Sequence, residues 1–129
     1  MTRYTFKKEE KLKSRKSINT LFSAGHTVSS PPLKLLYRET ATGTYPALMT
    51  AAVPKKLIKK AVDRNLLKRR IREAYRHAKP ELYESIRKQN NHLELLFLYQ
   101  ASDLIEYSVI RNTVNLLLAR LIKKLKEND

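Results

Sequence analysis

Asn65, Arg69, Arg72 and Arg76 recur at intervals of four, three and four residues, a spacing that puts four polar side chains on one stripe of a helix. Lys68 sits beside that stripe, Arg64 lies further round, and Lys55, Lys56, Lys59 and Lys60 precede it. A guanidinium is a planar fork that matches two phosphate oxygens at once, and an asparagine amide can both donate to and accept from phosphate or ribose oxygens. The chemistry open to such a row is the holding of a polyanion. Most charge runs are simply solvated faces. Here the helix carries more cations than solubility requires, arginine dominates its exposed stripe, and Asp63 and Glu73 are too few to neutralise it. Charge density and face segregation together favour contact with nucleic acid.

Other chemistries lack their residues. The 129-residue chain has no cysteine, which removes disulfides, thiolate metal sites and a cysteine nucleophile together. His26, His77 and His92 are far apart and without ligand-like spacing, each reading as a surface or loop residue. A free-standing metal-dependent nuclease would need clustered carboxylates. Asp63 and Glu73 are instead ten residues apart on the basic segment, and Asp103 with Glu106 reads better as a helix capping box. Aromatic rings can stack on the bases of a single strand while cations follow its backbone, and Phe22, Tyr37 and Tyr99 are the candidates, each with core packing as its alternative role.

The basic row needs a helix with a second, apolar face, and Leu67, Ile71, Ala74 and Ala78 provide one, rotated by about 200° from the arginines. Pro80 either ends this helix or opens another at its first turn. Upstream, residues 1–13 read as a basic arm. Ser14 or Ser17 can then cap a first helix presenting Ile18, Leu21 and Phe22, with Gly25 at its stop. "SSPP" breaks the chain. Leu33 to Glu39 alternates as a strand, "TATGTYP" is a turn by composition, and Ala47 to Val53 is a short apolar strand expected to pair with the first as a hairpin. A third strand is possible in the first strand region. "HLELLFLYQ" is an apolar run of strand length, and Ser102 or Asp103 can cap a last helix carrying Ile110, Val114, Leu117, Leu121 and Leu125. The order predicts one α+β domain over residues 1–129, a two-layer α–β sandwich whose helices cover one sheet face and leave the other to a partner.

Net charge supports the same partner class. Lysine and arginine number 27 against 12 acidic residues, giving +15 at pH 7, and self-repulsion on that scale opposes compaction unless an anion is at hand. No run approaches the roughly 18 apolar residues of a membrane span, and the N-terminus lacks the apolar stretch of a signal peptide, so a soluble, cytoplasmic chain without a membrane partner is expected.

The segment "PKKLIKKAVDRNLLKRRIREAYR" closely resembles the signature of the bacterial ribonuclease P protein subunit. The matching residues are Lys55, Lys56, Ala61, Val62, Arg64, Asn65, Lys68, Arg69 and Arg72. Outside it, "LKSRKSINTLFSAG", "LLY" and "ASDLIEYSVIRNTVNLLLARL" are similar to the family's first helix, first strand and last helix. Leu66 stands where the family usually has a basic residue, Ile18 where an aromatic is common, and the link from Lys56 to Ala61 is one residue longer. The resemblance implies a small mixed sheet with a left-handed βαβ crossover that carries the basic helix. It also implies a protein subunit of an endoribonuclease whose RNA holds the active site, with Mg2+ bound mainly by that RNA and the substrate, and one protein per RNA. Lys55, Lys56, Arg64, Asn65, Lys68, Arg69, Arg72 and Arg76 would then contact ribonuclease P RNA and the adjacent leader of precursor tRNA, while Phe22 and Tyr37 would line the cleft for the single-stranded leader. No protein side chain is expected to be catalytic. The alternative is a structural RNA-binding protein of ribosomal type, which shares the size and charge.

Overall fold

A computed structural model describes residues 10–40, 45–89 and 91–127. Residues 1–9 of the expected arm and 41–44 of the expected turn lie outside them. The elements are α1 (Arg15–Ala24), β1 (His26–Ser30), β2 (Leu33–Thr40), β3 (Ala47–Ala52), α2 (Ala61–Lys88), β4 (His92–Tyr99) and α3 (Tyr107–Glu127). The third strand is thus β1, joined to β2 through a turn whose Pro31–Pro32 peptide is cis.

The sheet runs β1-β2-β4-β3, antiparallel except for the parallel pair β3 and β4. This corrects the expected hairpin: β2 and β3 are separated by β4, the most fully buried strand, which has neighbours on both sides by lying between them. The helix α2 makes the crossover of the parallel β3–α2–β4 unit, as joining parallel neighbours requires.

Alternation along the strands sorts the sheet into two faces. Leu33, Leu35 and Tyr37 of β2, Met49 and Ala51 of β3, and Leu93, Leu95, Phe97 and Tyr99 of β4 pack under α2 and α3 in one large core. Leu36 and Leu96 face the other way and pack with Leu12 and Leu21, flanked by Ile18, Leu48, Ala52 and Leu98. Helix α1 therefore lies on the face that the sequence reading left bare. It covers only part of that face.

Each helix end has a local cause. The Ser14 side chain accepts from Ser17 N–H at 3.2 Å and caps α1. Gly25 ends it, but not through a left-handed backbone, since its φ is −73°. A Cβ at Gly25 would lie 2.6 Å from the Leu21 carbonyl oxygen, so a close approach is what requires glycine there. Residues 10–12, expected in the arm, are packed: Leu12 N–H donates to Met49 O at 2.9 Å, and Leu12 and Glu10 are buried.

Helix α2 passes through Pro80 without stopping. An interior proline costs about 3 kcal/mol in lost hydrogen bonding and ring clash. Beyond it Leu82, Tyr83 and Ile86 are all buried, each contributing roughly 1.5–3 kcal/mol, so packing outweighs the break. The start of α3 also differs from the capping expected at Ser102 or Asp103. The buried Tyr99 hydroxyl donates to Asp103 O and accepts from Ile105 N–H at 3.0 Å, holding residues 103–105 as a loop until the helix begins at Tyr107.

Candidate nucleic-acid interface

The segment from Pro54 to Lys60 forms the lead into α2. Pro54 O accepts from the N–H groups of Leu57 and Ile58, both at 3.1 Å, and this turn buries Ile58 while leaving Lys55, Lys56, Lys59 and Lys60 exposed. Arg64 reaches back and donates to Ile58 O at 3.0 Å and Lys59 O at 2.7 Å. It acts as a clasp on the loop, holding the lysines in place with the guanidinium that the motif reading assigned to RNA.

Along α2 the wheel reading holds. Leu67, Ile71 and Ala74 are buried, and Asn65, Arg69 and Arg72 are exposed. The full row nevertheless divides. Lys55, Lys56, Asn65, Lys68, Arg69 and Arg72 make no side-chain hydrogen bond or ion pair among the described residues. Arg76 is engaged in a two-point pair with Glu73, Nη2 to Oε1 at 2.6 Å and Nε to Oε2 at 3.1 Å. Hydrogen bonding from Arg76 holds the Glu73 carboxyl below its ordinary pKa and, reciprocally, raises that of Arg76. Arg70, outside the row, donates to Ile105 O at 2.7 Å and fastens α2 to the loop before α3.

Beside this helix, on the sheet face that α1 leaves open, is a cleft of about 790 Å³. Leu96, Leu98 and Ala52 floor it, Ile18 and Phe22 form the α1 wall, and Lys56 and Lys68 bring the basic loop and helix to its edge. Phe22 is 51% exposed, an unusual cost for a large apolar ring and an available stacking surface. The Phe22 ring lines the cleft, but the expected place of Tyr37 there is corrected. Tyr37 alternates with Leu36, so its ring lies on the opposite sheet face, 6% exposed and packed 5.4 Å from the His26 ring. Burial pushes its hydroxyl pKa up. Tyr99 borders the cleft, but it is fully buried and its hydroxyl is committed to the loop before α3.

Sequence reasoning missed Thr50 and Gln100, which line the cleft, and Lys34, half-buried on the same sheet face opposite Leu98. Strand alternation was the signal for Lys34 and Thr50, once the strands were known to share one sheet. Among the described residues no three His, Asp or Glu side chains gather where they could hold a metal ion. The protein side of the interface is thus cations, one ring and neutral polar groups, fit for binding a nucleic-acid strand.

The model of the family described as Ribonuclease P matches residues 6–122. The chain belongs to the ribonuclease P protein family. It is 30% identical over 115 residues to the ribonuclease P protein component of Porphyromonas gingivalis strain W83, covering 88% of this chain and 84% of that protein. The Chlorobium phaeobacteroides component is 39% identical over 83 residues, covering 61% and 57%. The structure of the Staphylococcus aureus RNase P protein shares the fold with a TM-score of 0.72 at 21% identity, over 88% of this chain and 96% of that one. The Thermotoga maritima RNase P protein does so with 0.62 at 21% identity, over 84% and 96%. As a ribonuclease P protein component, the chain is a subunit of the ribonucleoprotein endoribonuclease that acts in tRNA 5′ processing, and it associates with the ribonuclease P RNA.

Proposed function

We propose that the free cations from Lys55 to Arg72 hold the ribonuclease P RNA while the cleft beside them seats the single-stranded 5′ leader of precursor tRNA, one protein serving one RNA in the cytoplasm. The observation that carries this reading is the sharing of Lys56 and Lys68 between the basic segment and the cleft edge. Two polyanions can thereby meet on one continuous surface. Each phosphate neutralised releases counterions, which drives binding, and fixing the leader beside the catalytic RNA converts an encounter into an oriented complex. Phe22 offers a face for one base, and the apolar floor shields it from water.

In this reading Mg2+ belongs to the RNA and the substrate, where it supplies activation of the attacking water. No cluster of protein carboxylates fits it among the described residues, and no step is assigned to a protein acid or base. The test is cleavage of a precursor tRNA by bacterial ribonuclease P RNA at low Mg2+, with and without this protein. Cutting restored at the mature 5′ end, together with tighter binding of leader-bearing than leaderless tRNA, supports the proposal. Binding of both RNAs without promoted cutting overturns it in favour of a purely structural RNA binder.

A further inference from the structure

The α1 wall of the cleft rests on a narrow seat. Leu21 is the one buried side chain of α1, and it packs with Leu36 and Leu96 on the sheet. Ser17 stands one turn before Leu21 on the same helix face, whereas the wall residues Ile18 and Phe22 form the neighbouring stripe, about 100° round. The chain ties both ends of the helix: Leu12 N–H is bonded to Met49 O before it, and Gly25 leads directly into β1 after it. Neither link fixes its roll about its own axis. A single buried leucine sets that roll loosely, and the roll decides whether the Phe22 ring faces the cleft.

A second contact supplies what the leucine lacks. Next to the pair Leu36 and Leu96, on the same sheet face, the antiparallel register sets Arg38 of β2 opposite Glu94 of β4. Glu94 is buried and accepts from Arg38 Nε, which holds the guanidinium plane, and Arg38 Nη2 donates to Ser17 Oγ at 3.3 Å. Among the described residues this is the side-chain hydrogen bond that joins α1 to the sheet, since those of Thr20 and Ser23 close within the helix. We infer that Arg38 is a positioning residue for the leader: oriented by Glu94, its fork fixes the roll of α1 and keeps Ile18 and Phe22 turned into the cleft. The inference rests on the cleft being the seat of the leader. Arg38 is not one of the cleft-lining residues, so it acts through Ser17. A guanidinium suits the task because its donors lie at fixed spacing, and one can be anchored while another reaches the helix. A lysine ammonium on its flexible stem does not reproduce that geometry.

The experiment uses the reconstituted ribonucleoprotein and compares its affinity for leader-bearing precursor tRNA with that for leaderless tRNA. Arg38→Ala would strand the buried Glu94 carboxylate. The variants are therefore Ser17→Ala, which removes only the acceptor, and Arg38→Lys, which keeps a counterion for Glu94. Each is expected to lower the ratio of the two affinities by about threefold to tenfold, the worth of one hydrogen bond, with leaderless binding unchanged. The double variant should lose no more than either single one, because both remove the same contact. A wild-type ratio above one that either variant retains, or losses that add in the double variant, overturns the assignment of Arg38 and leaves the leader in the cleft. A wild-type ratio of one removes the leader from the cleft, and the inference with it. A loss that falls equally on the two substrates shows a contact that serves folding alone and also overturns the assignment.

Discussion

Arg69 and Arg76 share a stripe and a residue type, yet the structure gives them different work. Arg69 is exposed and in no ion pair among the described residues, whereas Arg76 is bound at two points to Glu73. Replacing Arg69 with alanine is expected to weaken RNA binding and lower the slope of log affinity against log salt by about 0.7–0.9, the release of roughly one counterion. An unchanged slope in a salt titration would exclude it as a phosphate contact. Glu73→Gln should act in the opposite direction, tightening RNA binding and steepening the slope, because the carboxylate charge that holds Arg76 is then gone. The same pair predicts a pH effect. The Glu73 carboxyl has its pKa lowered in the folded chain, so the pair's contribution is present above the ordinary value near 4.5 and is lost as pH falls through the lower folded value. Thermal melts of wild type and Glu73→Gln should therefore show their pH-dependent difference in the acid range, with constant offset near neutrality. Both groups face solvent, so the stability effect is small.

The elements are held in register by contacts that do not follow from local pattern. Lys79 and Glu10 form an ion pair at 2.5 Å with side chains 5% and 3% exposed, and the Tyr83 hydroxyl donates to the same carboxylate at 2.7 Å. This cluster ties the start of the described chain to the turn of α2 that contains Pro80. Removing the lysine takes the opposite charge from the buried Glu10 carboxylate, so Lys79→Met is expected to cost about 3–5 kcal/mol, and the double variant Lys79→Met, Glu10→Leu to recover most of it. Urea denaturation of the two variants checks this; equal losses would mean that the residues do not act as a pair. Neither partner was recognisable in the sequence, where Lys79 is one more cation and Glu10 part of a charged arm. What was legible is what depends on nearby spacing: the Ser14 cap, the split faces of α2 and the buried stripe of α3. The hairpin, the break at Pro80 and the placing of Tyr37 in the cleft were misread because each depends on which distant strand or helix supplies burial. For the site, the cations were visible in the motif, while the division into free arginines, the Arg64 clasp and the Glu73-bound Arg76 required knowledge of folded neighbours.

At the scale of the whole molecule, a charge of +15 on 129 residues has few internal counterions. Of the 12 acidic residues, Glu10 and Glu94 are spent on Lys79 and Arg38 away from the free cationic row, with Arg38 also donating to Ser17 Oγ at 3.3 Å to hold α1 against the sheet. These two acids therefore fasten elements together and leave the basic row unbalanced. Repulsion along that row is relieved when an anion binds, and anything that binds the folded form alone stabilises it by mass action. Sulfate or phosphate at about ten times its dissociation constant should stabilise the chain by roughly 1.4 kcal/mol, a rise in melting temperature of about 4–7 °C for a domain of this size. A matched concentration of chloride, which screens charge but cannot span two guanidinium forks, should give a smaller rise. Arg69→Ala and Arg72→Ala together should reduce the sulfate-specific part, since both side chains are exposed on the stripe and in no ion pair among the described residues. A melting temperature that responds to sulfate and chloride equally would show that the row is balanced by general screening, with no site at which its arginines converge on one anion.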